Sequence, residues 1–261
     1  MSVACAPESG SEFSIGVTTV TCNASDALGR QASCSFAVTL RHRPFLLTRY
    51  LAFGDSITLG ENGRPLGLIP FIDWANAYPT LLQRMFLERV PDQQIVVYNE
   101  GQGGERVVNS GTRLREKIAE LHPDVLLLLE GINDLNRGTD PRDVVSALSD
   151  RIHDARDRGV QYIFVSTLLP VAPENCGPPP PNCRGRFTSN TTIAATNDRI
   201  RAMVPAEGGQ LVDPFDLFMA NRAAYMDIDG LHPQPEGNRA LAEAFWQRIV
   251  QVIPAAQLFG R

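Results

Sequence analysis

The chain has 261 residues and carries 24 Lys and Arg against 29 Asp and Glu, which gives a formal net charge of −5. This length predicts one large domain, or one domain with a small extra module, and it is enough chain for a substantial buried core. The acidic balance argues against nucleic acid as the main partner, because that binding needs a basic surface. The longest apolar run, 125–129, is far shorter than the roughly 20 residues of a membrane span.

The first 41 residues are rich in Ser, Thr, Val and Cys, and their pattern predicts β-structure. Strands are predicted over 17–22 and 34–40, and the turn signal at 26–29 joins them into a hairpin. An isolated hairpin is marginally stable in water. We therefore expect this segment to pack against the rest of the chain or to be the end of a larger sandwich module.

From about residue 44 onward, strands alternate with helices. Apolar runs predict five strands, at 49–53, 95–99, 125–130, 160–167 and 210–213. Helical patterns occur at 78–89, 112–121, 141–158, 188–204 and 235–252. This alternation predicts a three-layer α/β/α domain with a mostly parallel five-stranded sheet, covered by helices on both faces. The predicted domains are therefore a β segment over 1–43 and an α/β domain over 44–261.

The five cysteines are Cys5, Cys22, Cys34, Cys176 and Cys183. They form no C-x-x-C pair and the four histidines are scattered, so neither a metal nor another cofactor is expected. Cys176 and Cys183 bracket a short Pro-rich loop that a disulfide would close, whereas the pairing of the first three cysteines stays open. This cysteine usage favours an oxidising compartment, so we expect a secreted or periplasmic protein, although no signal peptide is visible after Met1.

Chemically useful residues follow the predicted strands, where ligands bind in a sheet of this kind. The four segments are Gly54-Asp55-Ser56-Ile57, 99–104 (NEGQGG), Gly131-Ile132-Asn133-Asp134 and Asp229-Gly230-Leu231-His232. They supply a hydroxyl, backbone amides, a side-chain amide, a carboxylate and an imidazole. Those are the groups that acyl transfer requires.

The serine hydroxyl at position 56 is a poor nucleophile until a base removes its proton, and His232 is the natural base. Asp229 lies three residues before His232, so one turn can hold the carboxylate against the imidazole. The Ser56 N–H, a glycine N–H after the second strand and the Asn133 amide are candidate donors to an oxyanion.

These four segments, in this order, resemble the sequence blocks of the SGNH hydrolases, also called GDSL esterases and lipases, over roughly residues 48–252. The resemblance implies a flavodoxin-like fold, with Ser56 as nucleophile, His232 as base and Asp229 as the group that orients the base. It also implies an oxyanion hole built from Ser56, Gly104 and Asn133.

The glycine of that oxyanion hole is ambiguous in this sequence. Gly104 follows Asn99 at the spacing usual in the family, while Gly101 and Gly103 are near rivals.

The N-terminal segment has a resemblance of its own. Residues 1–41 resemble the last part of a hyalin-repeat (HYR) module, through the stretches 9–22, 26–29 and 34–36. That resemblance implies an immunoglobulin-like extracellular segment with an adhesive or spacing role.

Several neighbouring residues have two readings. Ser56 alone would also suit the N-cap of a helix, and Asp55 and Asp134 are expected to fix loops by hydrogen bonding.

The possible pocket residues are also open to two interpretations. Glu100 and Glu130 either line the pocket or pair with an arginine, Arg106 or Arg137. The long loop after the nucleophile offers Ile69, Phe71 and Trp74 either for an acyl pocket or for plain packing. The loop 171–187 is expected at the rim of the site.

The sequence therefore predicts a serine ester hydrolase that acts on short acyl esters, from acetyl to butyryl, through an acyl-enzyme. The alternatives are a carbohydrate acetyl esterase, or a lysophospholipase or thioesterase. A different class, a non-catalytic extracellular binding module, also stays open. The expected partner is a small-molecule or carbohydrate ester, and the sequence does not indicate an oligomeric state.

Overall fold

The structure, a computed structural model, describes residues 2–40, 45–63, 71–89, 91, 93–176 and 187–253. The chain divides after residue 44 into two compact units. The predicted domain boundary between residues 43 and 44 lies outside the described residues and stays a prediction. So does the expected packing of the N-terminal segment on the rest of the chain.

The N-terminal unit is an antiparallel sheet of three strands in the order β1-β2-β3, with bounds Ser2–Ala6, Gly16–Ser25 and Gln31–Leu40. The β2–β3 pair is the predicted hairpin. Its turn is closed by the Asp26 carboxylate, which accepts hydrogen bonds from the N–H groups of Leu28 and Arg30 at 2.9 and 3.0 Å. The sequence reading missed β1, because five residues at a chain end carry too little alternation to predict a strand.

The register of this sheet brings the first three cysteines side by side. Cys5 is paired with Cys22 across β1 and β2, and Cys22 is paired with Cys34 across β2 and β3. A disulfide joins Cys5 to Cys22, while Cys34 is an exposed free thiol. Cys176 is also disulfide-bonded. Its predicted partner, Cys183, lies outside the described residues.

The second unit contains a five-stranded sheet, all parallel, in the order β5-β4-β6-β7-β8. The strands are β4 Arg49–Gly54, β5 Val96–Gly101, β6 Val125–Leu129, β7 Tyr162–Ser166 and β8 Gln210–Val212. This confirms the predicted fold class. Strand order reverses at β4, and in open α/β sheets ligands bind in the crevice beyond the carboxyl ends of the strands at such a point.

The helices are α1 Ser56–Leu59, α2 Tyr78–Arg89, α3 Gly111–Leu121, α4 Ile132–Asn136, α5 Pro141–Arg156, α6 Asn190–Ala206, α7 Phe215–Tyr225 and α8 Pro235–Val252. Helices α1 and α4 are about one turn long, too short for periodicity to predict. Helix α7 was also missed, because Pro214 at its N-cap makes no side-chain bond and Asn221 interrupts its helical backbone. None of the described helices is both long and apolar enough to cross a membrane.

The core lies on both faces of the parallel sheet. Every residue of β6 is buried, which explains why its sequence is continuously apolar rather than alternating. Helices α2 and α8 pack against each other through Tyr78 and Phe245, whose rings stack with centroids 5.2 Å apart. A second group of helices, α3, α5 and α6, packs side by side. The loops beyond the strands are thereby anchored on a rigid base.

Candidate active site

The end of β4 positions the serine. The Asp55 carboxylate accepts a hydrogen bond from the Ile57 N–H at 3.0 Å and so caps α1, which begins at Ser56. A Cβ at position 54 would overlap the carbonyl oxygen of Leu129, so only glycine lets β4 lie this close to the end of β6. The serine side chain therefore stands at the carboxyl edge of the sheet, in the first turn of a helix.

The loop between α7 and α8 brings the carboxylate and the imidazole together. Within it, the Asp227 N–H donates to the His232 carbonyl at 2.7 Å. One oxygen of Asp229 accepts the backbone N–H groups of Leu231 and His232 at 2.9 and 3.0 Å. Its other oxygen lies 2.5 Å from His232 Nδ1. The carboxylate thus holds both the backbone and the ring of His232.

His232 in turn reaches the serine. Its Nε2 lies 2.8 Å from Ser56 Oγ, although the two residues are 176 positions apart in sequence. An ionised carboxylate can only accept hydrogen bonds, so Nδ1 must carry the proton that points to Asp229. In the neutral ring, Nε2 then has a free lone pair and accepts the Ser56 hydroxyl proton. The structure therefore brings together the three residues predicted to form the triad.

The negative charge of Asp229 and the positive charge of protonated His232 stabilise each other. Burial by itself would lower the pKa of His232, but the hydrogen bond and charge of Asp229, together with the charges of Glu61 and Asp55, outweigh it, so the pKa is raised above its ordinary value. Burial by itself would raise the pKa of Asp229, yet the His232 ring holds that pKa below its ordinary value. Both shifts favour an ion pair of aspartate and imidazolium, the state that forms when His232 takes up a proton.

Two further loops leave the sheet beside Ser56. Gly54 is level with Leu129 on one side and with Gly101 on the other, so the segments that follow β5 and β6 flank the serine turn. Asn133 is the second residue of α4, and its amide group donates to the Glu105 carbonyl at 3.0 Å. Because a side-chain amide has two N–H bonds, one remains to donate to a ligand.

The three glycines at the end of β5 and just after it, Gly101, Gly103 and Gly104, differ in their surroundings. The Gly101 N–H already donates to Asn99 Oδ1 at 3.0 Å, and a Cβ at position 101 would overlap the backbone of Leu59. A Cβ at position 103 would overlap the Glu61 carboxylate. Gly104 has a φ of 72°, and a Cβ there would meet only the Arg137 side chain, at an ordinary contact distance of 3.8 Å. Within the described part of the chain, the N–H groups of Gly104 and Ser56 donate to no protein acceptor.

The acidic residues beside the site mostly act on the loops. Asp134 accepts the Val107 N–H at 2.8 Å and so ties α4 to the segment after β5, as predicted. Asp55 is buried, and burial raises its pKa to about 7. Glu100 lies 3.3 Å from Lys117 Nζ, so it pairs with neither of the arginines proposed from the sequence.

Glu130 is the other carboxylate that the sequence assigns either to the pocket or to an arginine partner. It accepts the Ser110 hydroxyl at 2.8 Å, and among the described residues it forms no ion pair with Arg106, which pairs with Asp134, or with Arg137. Burial raises the pKa of Glu130 well above its ordinary value, and the charge of Glu105 adds to this.

Sequence reasoning missed one residue at this site. Glu61 follows the glycine that ends α1, and its Oε2 lies 3.6 Å from His232 Nε2. Its only sequence signal is its position five residues after the serine. The acyl-pocket candidates Phe71 and Trp74 are 40% and 54% exposed, so they are not core residues. Ile69 lies outside the described residues.

Phe71 lines a surface pocket of about 560 Å³ that also includes Asn62, Asp73, Asp227 and Gln234. The predicted rim loop is described only at its two ends, up to Cys176 and from Phe187. Across the described residues, no group of three or more His, Cys, Asp or Glu side chains is placed to hold a metal ion.

Comparison with known proteins identifies relatives of the chain. The GDSL-like Lipase/Acylhydrolase family matches residues 52–240, and the HYR domain matches residues 1–40. An arylesterase from Vibrio mimicus is 26% identical over 203 residues, which cover 78% of this chain and 88% of the arylesterase. Esterase TesA from Pseudomonas aeruginosa is 25% identical over 205 residues, or 78% of this chain and 92% of TesA.

The fold is shared with solved structures. The crystal structure of an acetyl xylan esterase, AlAXEase, superposes with a TM-score of 0.60 at 20% identity, and covers 77% of this chain and 99% of that protein. These matches confirm the family resemblance drawn from the four sequence blocks. Because the family match spans most of its length, the chain belongs to the GDSL-like lipase/acylhydrolase family and is a carboxylic ester hydrolase.

Proposed function

We propose that the chain hydrolyses short-chain acyl esters, from acetyl to butyryl, through an acyl-enzyme formed on Ser56. The observation that carries the proposal is the series of contacts from Asp229 to His232 and from His232 to Ser56, at 2.5 and 2.8 Å. This series places a base on the hydroxyl and a carboxylate behind the base, which is the arrangement that activates a serine.

In the first half-reaction, Ser56 Oγ attacks the ester carbonyl carbon while its proton passes to His232 Nε2. Asp229 stabilises the imidazolium through Nδ1. When the tetrahedral intermediate collapses, the bond to the alcohol oxygen breaks, and that oxygen takes the proton from Nε2. In the second half-reaction, a water molecule replaces the alcohol and His232 removes one of its protons. The acid then leaves, and Ser56 regains its hydrogen.

The oxyanion of each intermediate would be held by the N–H groups of Ser56 and Gly104 and by the amide of Asn133. In support, the two backbone groups make no other bond within the described residues, and Asn133 keeps one N–H bond available. The bond from Asn133 to the Glu105 carbonyl holds the amide in a fixed orientation. Donors that are oriented before the charge develops stabilise a transition state most effectively.

The side chains beside the triad and in the adjoining pocket favour a short acyl group. Glu61 lies beside His232, and Asn62 and Asp73 line the pocket; all three are polar or charged, whereas a long acyl chain needs an extended apolar wall. Acetylated carbohydrate is the second candidate substrate. The exposed ring of Phe71 beside several planar polar side chains in the adjoining pocket offers both a flat face and hydrogen-bonding groups for a sugar.

The test compares wild type, Ser56→Ala and Ser146→Ala on p-nitrophenyl acetate and butyrate. Ser146 is an exposed serine on α5 and serves as the matched control. We expect Ser56→Ala to lose activity to the background rate and Ser146→Ala to match wild type. Activity that survives in folded Ser56→Ala would refute the nucleophile. A p-nitrophenyl series of increasing chain length would refute the short-chain preference if the optimum fell at long chains.

We also propose that the protein works in an oxidising compartment, secreted or periplasmic, and that its N-terminal unit over 1–43 is a separate spacing or adhesive module. The disulfide between Cys5 and Cys22 supports the first part, because such bonds persist outside the reducing cytosol. The HYR match over 1–40 supports the second. Both cysteines found reduced in protein from the native cell would refute the location.

A further inference from the structure

We propose that Glu61 positions the water molecule that hydrolyses the acyl-enzyme. The proposal rests on the proposed function, because it assigns a role in the second half-reaction only. No sequence block of the enzyme singles this residue out, and the triad and the oxyanion donors do not include it. Its placement relative to His232 carries the argument.

The backbone of Glu61 is held firmly beside the nucleophile. Its N–H donates to the carbonyl of Ser56 at 3.0 Å, just after the left-handed Gly60 ends α1. Glu61 also forms an antiparallel bridge with Ile72, and the Asp73 N–H donates to the Gly60 carbonyl at 2.8 Å. The residue is therefore fixed to the serine turn on one side and to the loop after it on the other.

The carboxylate lies over the reacting groups. Oε2 is 3.6 Å from His232 Nε2, the same nitrogen that contacts Ser56 Oγ at 2.8 Å. Oε1 stands over Gly103, where a Cβ would overlap it, next to the proposed oxyanion donor Gly104. The Glu61 side chain is 15% exposed, so solvent reaches it. This position lies between the base and the loop that would hold the oxyanion.

A separation of 3.6 Å is too long for a direct hydrogen bond, but one water oxygen can lie within hydrogen-bonding distance of both Nε2 and Oε2. Within the described residues, no protein group donates a hydrogen bond to the Glu61 carboxylate. A partly buried carboxylate without a donor favours a bound water. The site thus offers two acceptors for the two hydrogens of a single water molecule.

Deacylation needs this arrangement. One O–H bond of the water passes its proton to His232 Nε2 while the oxygen forms a bond to the acyl carbon. The second O–H donates to Glu61 and is not transferred, so it restrains the direction of the attacking lone pair. The bond between the acyl carbon and Ser56 Oγ then breaks, and Oγ takes the proton back from Nε2. Glu61 acts as a positioning residue and keeps its charge throughout.

An alcohol used in place of water gives a direct test. Methanol has a single O–H, which must pass its proton to His232, so it has no hydrogen for Glu61. Loss of the carboxylate should therefore slow hydrolysis of the acyl-enzyme while methanolysis is unaffected. The ratio of methyl ester to free acid depends only on how the acyl-enzyme partitions, and not on the folded fraction or the rate of acylation.

The experiment measures this product ratio with p-nitrophenyl butyrate in a fixed methanol–water mixture, for wild type, Glu61→Ala and Glu61→Gln. Glu243→Ala, which removes an exposed carboxylate on α8, is the matched control. We expect the ratio to rise about 10- to 100-fold in Glu61→Ala, the effect of losing a hydrogen bond to a charged acceptor. The rise should be smaller in Glu61→Gln, whose amide oxygen still accepts, and absent in Glu243→Ala.

A ratio in Glu61→Ala equal to that of wild type would overturn the proposal. The same result is expected if Glu61 only stabilises the imidazolium or the loop, because water and methanol would then be affected alike. Failure of the proposed function has a different signature, since wild type would then form no acyl-enzyme on Ser56 and yield neither product.

Discussion

Replacement of Asp229 by Asn tests how the base is oriented. Among the described residues, Oδ1 of the carboxylate accepts two backbone N–H groups and Oδ2 contacts His232 Nδ1. In Asp229→Asn, the amide oxygen can still accept the two backbone bonds, so the loop keeps its shape. The amide NH₂ then faces Nδ1 and donates to it, which forces the ring proton onto Nε2.

That tautomer cannot accept the Ser56 proton, and the developing imidazolium also loses its counter-charge. The corresponding change in other Ser-His-Asp hydrolases lowers kcat by about 10⁴-fold. At about 1.4 kcal/mol for each factor of ten, this equals roughly 5.5 kcal/mol of transition-state stabilisation. We expect a loss of this size, with KM little changed, because the residue touches His232 and not the substrate.

The assay is steady-state hydrolysis of p-nitrophenyl acetate, with thermal unfolding measured on the same samples. Asp150→Asn, which neutralises an exposed carboxylate on α5, is the matched control and should behave as wild type. An Asp229→Asn enzyme that unfolds normally and loses less than about tenfold in kcat would refute this reasoning. The carboxylate would then hold the loop without controlling the tautomer.

Two further predictions concern the oxyanion and the base. Asn133→Ala should lower kcat about 10²- to 10³-fold with little change in KM, because the amide donates to charge that exists only in the transition state; a near-normal kcat would remove Asn133 from that role. Only neutral His232 accepts the Ser56 proton, so kcat/KM should rise with pH as His232 loses its proton. Asp229 raises that pKa despite burial, so the midpoint of the rise should lie above the ordinary imidazole value in a pH–rate profile, and a midpoint below it would contradict the ion pair.

The parallel sheet and most of its helices are predictable from sequence because their signals are local. The apolar run that predicts β6 lies within five residues. The start of α5 is predicted by Asp140, a good N-cap residue, followed by Pro141 at the first helical position. The candidate catalytic residues are also predictable from the sequence, because they follow predicted strands and the carboxyl ends of parallel strands meet at one edge of the sheet. The sequence does not predict β1 and α7, because their local signals are weak: β1 is only five residues long, and α7 has no side-chain cap at its start.

Several features depend on contacts between distant segments, and only the tertiary structure decides them. The order β5-β4-β6 sets which loops flank Ser56, and packing of the loop before α8 sets the 2.8 Å contact from His232 across 176 positions. The proposal of Gly104 rather than Gly101 as an oxyanion donor draws support from the backbone of Leu59, which lies against position 101 and leaves no room there for a side chain. Glu61 is identified as a residue of the site only because the fold places its carboxylate beside His232 Nε2. Sequence periodicity specifies which face of an element is buried, whereas the positions of polar groups around a site depend on how those elements pack together.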